Sequence, residues 1–529
     1  MDILGNLKKD KYDLEISYEE SGIWRCLLCL ISAVLIVAVC SRSSFLYAFN
    51  IWDDVNSYFT VGKCIFRGFV PYRDLFDQKG IMLYFIYGLA SLISPTTFIG
   101  VYIFEVIAAF FTLLAIFRIY QQFLKTMMMP YIITPITGAV IYSSYDFWWG
   151  GSAEEFLFPF VMWGLYLTVY HFRNSYPEPM DYRTVLLGGL LSGCVLNIKF
   201  SSLGFFFGWM AFVFFADLIG GKAVKKAFVS CIVFLGGMGI ATIPWIIYFW
   251  ANDAIYDWLH VYIYKNVFEY SKKLPLPERA AVFYDIVKNH ILNNELVFIL
   301  IFLGVIYFIA SAVVTRLGRE ELKRFMPKVR LSELWCLGME LFFLIFVLFV
   351  GGVSLPYYAF PVNGFVLFGF IPFCYIIEGL INEKTGHFLV VVSLIITFLM
   401  TWFMSVNVRF YGVKAQDLYV YKFRDYIRST GIEDPGIIVQ FTFDVGLYTV
   451  LDEEPICYYF QTQTLNMDEV LEYQKQYLHS GEADFIVTCD YLAEGAGDRY
   501  DLVMTDECHL YNFEHTYYLY QRNGNPVSE

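Results

Sequence analysis

Charge is scarce in this chain: acidic and basic residues make up only 16% of it, while 58% is hydrophobic and 20% aromatic. Ordinary soluble domains carry about a quarter charged residues. The shortage, with a mean hydropathy of +0.53 over 529 residues, excludes that class and leaves a polytopic membrane protein. Histidine is scarce too; the seven are dispersed, no HExxH pairing occurs, and none is assigned a ligand role. Internal repeats, low-complexity tracts and an inverted pair of halves are missing, which counts against the paired-repeat plan of secondary transporters. A cleavable leader is not expected. The segment before the first apolar run carries Lys8, Lys9 and Lys11, the run outlasts a leader's apolar core, and no small-residue cleavage site follows it closely.

The net charge of −13 is local. Residues 408–529 hold 21 acids and 8 bases, which accounts for all of it and leaves the membrane part neutral. An acidic tail argues against nucleic acid as a partner and against docking on anionic headgroups. The eleven cysteines lie mostly in apolar runs, and the one close pair, Cys26 and Cys29, reads as core packing rather than metal or redox chemistry.

Apolar runs of spanning length occur at 24–46, 97–119, 129–146, 155–172, 184–198, 200–219, 227–250, 295–314, 333–352, 361–379 and 386–406, about eleven by hydropathy. The stretch 81–94 (IMLYFIYGLASLIS) is too short to cross and precedes Pro95, so it is expected to lie on or dip into the outer surface. The strongly basic short connections then share one side: Arg118 and Lys125, Arg173 and Arg183, Lys222, Lys225 and Lys226, the segment 316–330, and Lys384. The positive-inside rule makes that side cytoplasmic. Trp148, Trp149, Trp250 and Trp402 fall at the opposite helix ends, where amphipathic rings prefer to sit. The expected plan is a plasma-membrane protein with a cytoplasmic segment 1–23, a transmembrane module 24–407 carrying an outer loop 47–96, and an extracytoplasmic region 408–529.

That last region changes rhythm. GIIVQ (436–440), PICYYF (455–460), DFIVTCD (484–490), DLVMT (501–505) and TYYLYQR (516–522) read as short strands, and MDEVLEYQKQYLHS (467–480) as an amphipathic helix. Strands alternating with helical patterns suggest a small α/β domain on a mainly parallel sheet.

The richest stretch is NIWDDVNSYFTVGKCIFRGFVPYRDLFDQKG at 50–80. Loops carry charge simply because they are solvated, yet charges of both signs gathered near a bilayer surface invite a functional reading. Asp53 and Asp54 follow Trp52 at the exit of the first helix, where desolvation can raise a carboxyl toward the range of a useful base. Lys63, Arg67, Arg73 and Lys79 are close in sequence, which suits a reaction needing both a base and a partner for a departing phosphate. Elsewhere, Glu154 and Glu155 open a helix after WWGGSA, where a charge–dipole role accounts for one of them. Glu105 lies in the outer half of a predicted span, either in an interior polar role or paired locally. Lys199 in NIKFS is either a phosphate contact or a boundary anchor. Tyr357 and Tyr358 occupy an outer turn, where an aromatic belt is the plainer reading.

The order WDD, then Gly62 and Gly68, then PYRDLFDQKG entering an apolar helix, resembles the first outer loop of GT-C superfamily glycosyltransferases. It is most similar to the branch of the protein O-mannosyltransferases and the lipid A aminoarabinose transferase. The resemblance covers most of the chain, through Glu154 and Glu155, Lys199, PYYAFPV and the tail. It implies a donor sugar linked through phosphate to a polyprenyl lipid, an acceptor hydroxyl of unassigned class, and reaction on the outer face. By position it implies the catalytic carboxylate at Asp53, with Asp54 second, and the phosphate-holding lysine at Lys79. The substrate-binding set is completed by Arg73, Asp77, Glu154, Glu155, Lys199, Tyr357 and Tyr358. The chain departs from the family where an Asp–Glu pair is usual and where proline usually follows the lysine; here Gly80 and Ile81 follow. One base, with attack opposite the phosphate, implies inversion. No cofactor or metal is expected, because adjacent Asp53 and Asp54 point in different directions on a helix and no other ligand cluster appears. The competing functions are a transporter or flippase of lipid-linked saccharides, and a polysaccharide polymerase or ligase.

Overall fold

The computed structural model describes residues 18–220, 223–318, 325–378, 383–439, 445–461, 468–490, 499–510 and 513–524. Lys8, Lys9, Lys11, Lys222 and the middle of the basic connection 316–330 lie outside these residues. The first helices are α1 (Tyr18–Cys40), α2 (Asp53–Ile65), α3 (Ile81–Ile93), α4 (Ile99–Phe123), α5 (Met128–Tyr142), α6 (Ala153–Asn174) and α7 (Tyr182–Ile198).

Eight helices among the described residues are long and apolar enough to cross a bilayer: Gly22–Cys40, Ile99–Phe123, Phe200–Ile219, Val224–Ala251, Glu295–Leu317, Leu331–Phe349, Pro356–Ile377 and Thr385–Met404. The other three expected spans coincide with α5 and α7, which are shorter, and with α6, which carries Glu154, Glu155, His171 and Arg173. Large apolar side chains such as Ile232, Leu235, Ile306 and Phe403 stand exposed on the spanning helices. So much outward apolar surface suits contact with lipid tails rather than water. Trp250 is exposed as an interfacial ring would be, whereas Trp149 is buried, stacked on Trp148 and lying over the Arg42 guanidinium. Of the cysteine pair, Cys29 is buried and Cys26 faces outward.

Two regions differ from expectation. The connection 251–294, which lies between the apolar runs 227–250 and 295–314 and reads as a long outer loop, is largely helical, with segments at Ile255–Trp258, Leu259–Tyr270 and Leu276–Asn293. The tail sheet is mixed rather than mainly parallel: β1 (Ile437–Val439), β2 (Phe485–Cys489), β3 (Tyr500–Leu510) and β4 (Phe513–Arg522) lie in the order β1-β2-β4-β3. β1 and β2 run parallel, while β2–β4 and β3–β4 are antiparallel. The segment 455–460 forms no strand, because its backbone is spent elsewhere: the Phe76 amide donates to the Tyr458 carbonyl at 3.0 Å. The amphipathic helix is present as Asp468–Ser480.

The tail sits directly on the first loop. Thr449 Oγ1 donates to Asn56 at 3.2 Å, and Gln461 Nε2 donates to Ser57 Oγ at 2.7 Å. Lys63 reaches the Tyr448 carbonyl at 2.8 Å and Asp452 at 3.1 Å, while Arg67 pairs with Asp452 at 2.6 Å and Glu454 at 3.3 Å. α2 and α3 cross at a glycine contact: a Cβ on Gly62 would lie 2.5 Å from the Tyr84 carbonyl, and one on Gly88 would lie 2.5 Å from that of Gly62. Such close approach suits packing in a membrane protein, where small residues let backbones meet. It fixes α2 against the helix that follows Lys79.

Candidate active site

The site begins where α2 begins. Trp52 is extended at φ −73° and ψ 127°, and the Asn56 amide ties the Asn50 and Trp52 carbonyls at 2.8 and 2.9 Å. Asp53 and Asp54 therefore occupy the first helical turn, where the helix dipole favours carboxylates. Both are half-buried. Asp54 receives the Tyr357 hydroxyl at 2.5 Å on Oδ2 and faces Lys79 Nζ at 3.9 Å with Oδ1. Successive helical residues diverge by about 100°, so Asp53 does not share that direction.

Lys79 arrives from the other end of the loop. Its amide donates to the Tyr84 hydroxyl at 2.8 Å, and its carbonyl accepts from Tyr72 at 2.6 Å. The next residue must be glycine for space: a Cβ on Gly80 would lie 2.1 Å from the Asn197 carbonyl at the end of α7. Gly80 therefore permits the chain to pass against α7 at the place where the family has proline. Burial works against the Lys79 charge, but Asp54 and Asp77 outweigh it and hold the ammonium above the usual lysine range. Asp77 is locked by Ser57 at 2.7 Å and by the Gln78 amide at 2.6 Å. Burial pushes the Asp77 carboxyl up, with Lys79 and Ser57 opposing.

A second cation comes from the end of α7. Lys199 pairs with Glu154 and lies 3.5 Å over the Tyr358 ring, whose hydroxyl is 2.9 Å from that of Tyr270. Burial lowers the Lys199 ammonium; Glu154 opposes this and Lys79 adds to it. Lys79, Lys199, Tyr270 and Tyr358 line a cavity of about 450 Å³, together with Lys272, Lys273 and Arg279. Its lining contains five cations and no carboxylate among the described residues, so it suits an anion. Buried near it, the Tyr58 hydroxyl and Glu154 Oε2 have no hydrogen-bond partner among the described residues.

The structure brings together Asp54, Lys79, Asp77, Glu154, Lys199, Tyr357 and Tyr358 from the expected set. Both tyrosines are buried within the site and form no surface belt. Arg73 is placed elsewhere, donating to Asp74 at 2.8 Å and to the Asn252 carbonyl at 2.8 Å. Glu155 turns back onto its own loop, where Oε2 accepts the Gly151 amide at 2.7 Å, near Glu105, which accepts from Ser41 at 2.7 Å. Lys63 and Arg67 belong to the tail contact. Sequence reasoning missed Tyr58, Tyr270, Lys272, Lys273 and Arg279. The run of bases in YSKKLPLPER was the one available signal for the last three, and it reads like any solvated connection.

The fold has known counterparts. ArnT from Cupriavidus metallidurans, in a crystal structure bound to undecaprenyl phosphate, superimposes with a TM-score of 0.56 at 12% identity, covering 94% of this chain and 98% of that one. The same protein in the apo state gives 0.58 at 11% identity with the same coverage. The Archaeoglobus fulgidus oligosaccharyltransferase AglB, in complex with an inhibitory peptide and a dolichol-phosphate, gives only 0.47 at 12% identity, covering 89% of this chain and 70% of that one. No protein-family model and no curated protein matches the sequence. The chain thus shares the fold of that ArnT over nearly its whole length, as the resemblance carried by the first loop implies.

Proposed function

We propose that this chain is an inverting glycosyltransferase that moves a sugar from a polyprenyl-phosphate donor to an acceptor hydroxyl, with Asp54 as the base. The observation that carries this reading is the placing of a hydrogen-bonded carboxylate beside a cavity whose charged lining residues, among those described, are all cations. Its volume lies in the range of small-ligand sites. A structure of the same fold bound to undecaprenyl phosphate supports the choice of lipid carrier. The basic connections support an outer-face site with a cytoplasmic N-terminus.

In the proposed step Asp54 takes the acceptor's proton as its oxygen attacks the anomeric carbon. The bond from that carbon to the phosphate oxygen breaks, and its electron pair leaves on the phosphate. Lys79, held cationic by Asp54 and Asp77, meets the charge that develops there, and Lys199 stands behind it. The unpartnered Tyr58 hydroxyl and Glu154 Oε2 suit sugar hydroxyls, because leaving such groups buried and unpaired costs about 1–3 kcal/mol each. The lining favours an anionic ligand over a metal cation.

The test is transfer of labelled sugar from membrane-borne polyprenyl-phosphate donors, comparing the natural chain with Asp54→Asn and Asp53→Asn at equal membrane expression. Loss of a general base costs about 10²–10⁴-fold. That loss is expected for Asp54→Asn, with Asp53→Asn within about tenfold of the natural chain, well short of such a loss. Full activity in Asp54→Asn removes the assignment of the base. Absence of transfer from every donor by the natural chain removes the reading itself.

A further inference from the structure

The tail carries a second chemical cluster, away from the first-loop acids. β2 ends at Cys489, and Asp490 follows it with a left-handed φ of 64°. The Asp490 amide donates to the Thr516 carbonyl at 2.8 Å, the Thr516 amide donates back to Asp490 Oδ1 at 2.9 Å, and His515 Nδ1 lies 2.7 Å from Asp490 Oδ2. These bonds fasten the end of β2 to β4. They also gather a sulfur, a carboxylate oxygen and an imidazole nitrogen whose ligand atoms all lie within 4.8 Å of one another.

The register supplies a fourth candidate. Cys489 pairs across with Tyr517 on β4, and His515, two residues along, occupies the same face of that strand. On the other side of β4, Cys508 of β3 is the direct partner of His515. Directly opposed residues in antiparallel strands keep their Cβ atoms about 4.5–5.5 Å apart, so Cys508 is a neighbour of His515 across the strands, although its thiol is outside the group of ligand atoms within 4.8 Å of one another.

We propose that Cys489, Asp490 and His515 form a binding site for a borderline-soft divalent metal of the zinc type, with Cys508 available as the fourth ligand. Thiolate with imidazole selects such ions over magnesium or calcium, which prefer all-oxygen shells. Zinc bonds of about 2.0–2.3 Å in a tetrahedron need ligand atoms roughly 3.3–3.8 Å apart, so side-chain adjustments of about an ångström suffice for Cys489, Asp490 and His515, while Cys508 has farther to turn. Binding through Nδ1 leaves the neutral imidazole's proton on Nε2 and releases the Cys489 thiol proton to solvent. The metal then joins β2 to the β3–β4 hairpin. The site is independent of the transfer reading.

The test is a Co²⁺ titration of the full chain, purified in detergent without a histidine tag and followed by the near-ultraviolet thiolate-to-cobalt absorption. One equivalent is expected to produce the band, and excess Zn²⁺ to abolish it. The double variant Cys489→Ser/Cys508→Ser is expected to lose the band, and His515→Gln to weaken binding at least about tenfold, as loss of metal-site groups does. Asp490→Asn keeps the side-chain shape and an acceptor for the Thr516 amide, so its weaker binding with the band retained separates ligand loss from misfolding. A natural chain without the band, or a Cys489→Ser/Cys508→Ser chain that keeps it, overturns the proposal and leaves the cluster as a lock on the strand end.

Discussion

The two ends of the first loop use the same residue type for different work. At the near end Lys63 is buried against the tail, bonded to the Tyr448 carbonyl and Asp452, and Arg67 closes the contact with Asp452 and Glu454. At the far end Lys79 faces Asp54 and lines the cavity beside Lys199. One pair of cations is spent on holding the tail; the other remains directed at a ligand space. Proximity in sequence does not distinguish Lys63 and Arg67 from Lys79, since these three lie within one short stretch. What separates them is the partner that the fold delivers, an acidic tail loop in one case and an open cavity in the other.

The sharpest way to break this comparison is to neutralise each cation in turn. Lys79→Gln is expected to lower transfer about 10²–10³-fold, the usual scale for removing a group that stabilises charge developing in the transition state. The loss should fall mainly on kcat, and protein level in the membrane should not change. Equal losses for Lys63→Gln would erase the distinction between the two ends.

A smaller effect is expected at the tail contact. Asp452→Asn leaves the buried Lys63 ammonium with the Tyr448 carbonyl as its remaining named acceptor, and a charged group deprived of its partner costs about 1–3 kcal/mol. Burial already lowers the Lys63 ammonium, with Asp452 opposing. Without Asp452 it drops further, so the undocked state binds more protons than the docked one and docking strengthens as pH rises. Hydrogen exchange should show faster opening of α2 and Gly446–Leu451 in the variant, by about 5- to 150-fold by that free energy, with the difference shrinking toward alkaline pH. Transfer should stay within about tenfold of the natural chain, well short of the loss expected for Lys79→Gln. Exchange unchanged at every pH would show that the ion pair does not hold the tail.

The helices were legible because spanning runs are local and long, and the candidate first-loop site was legible because WDD and PYRDLFDQKG lie in one stretch. Proposing Asp54 over Asp53 needed the phase of a helix whose first turn starts at Asp53, and the contacts that give it come from Lys79 and from Tyr357, 303 residues on. The cations of 272–279 were invisible because nothing in their own segment says which cavity they border. The strand expected at 455–460 failed for a related reason: its apolar pattern was right for burial, but its backbone partner is the first loop rather than a sheet. Local periodicity carries burial, and long-range pairing decides what the burial is for.

The smallest effect is the most discriminating for how far the site extends. Arg73 belongs to the same motif as Lys79, and by sequence alone it is as good a phosphate contact. In the structure its guanidinium grips its neighbour Asp74 and the Asn252 carbonyl, 40% of the side chain is exposed, and it is absent from the cavity lining. Its exposed pair with Asp74 is worth at most about 1 kcal/mol. Arg73→Ala is therefore expected to change transfer by less than about fivefold, equivalent to that 1 kcal/mol, with no change in KM for the lipid donor. A rise in donor KM of tenfold or more would mean that Arg73 swings from Asp74 to the donor, and the division between structural and ligand-facing cations would then fall between Arg67 and Arg73 rather than between Arg73 and Lys79.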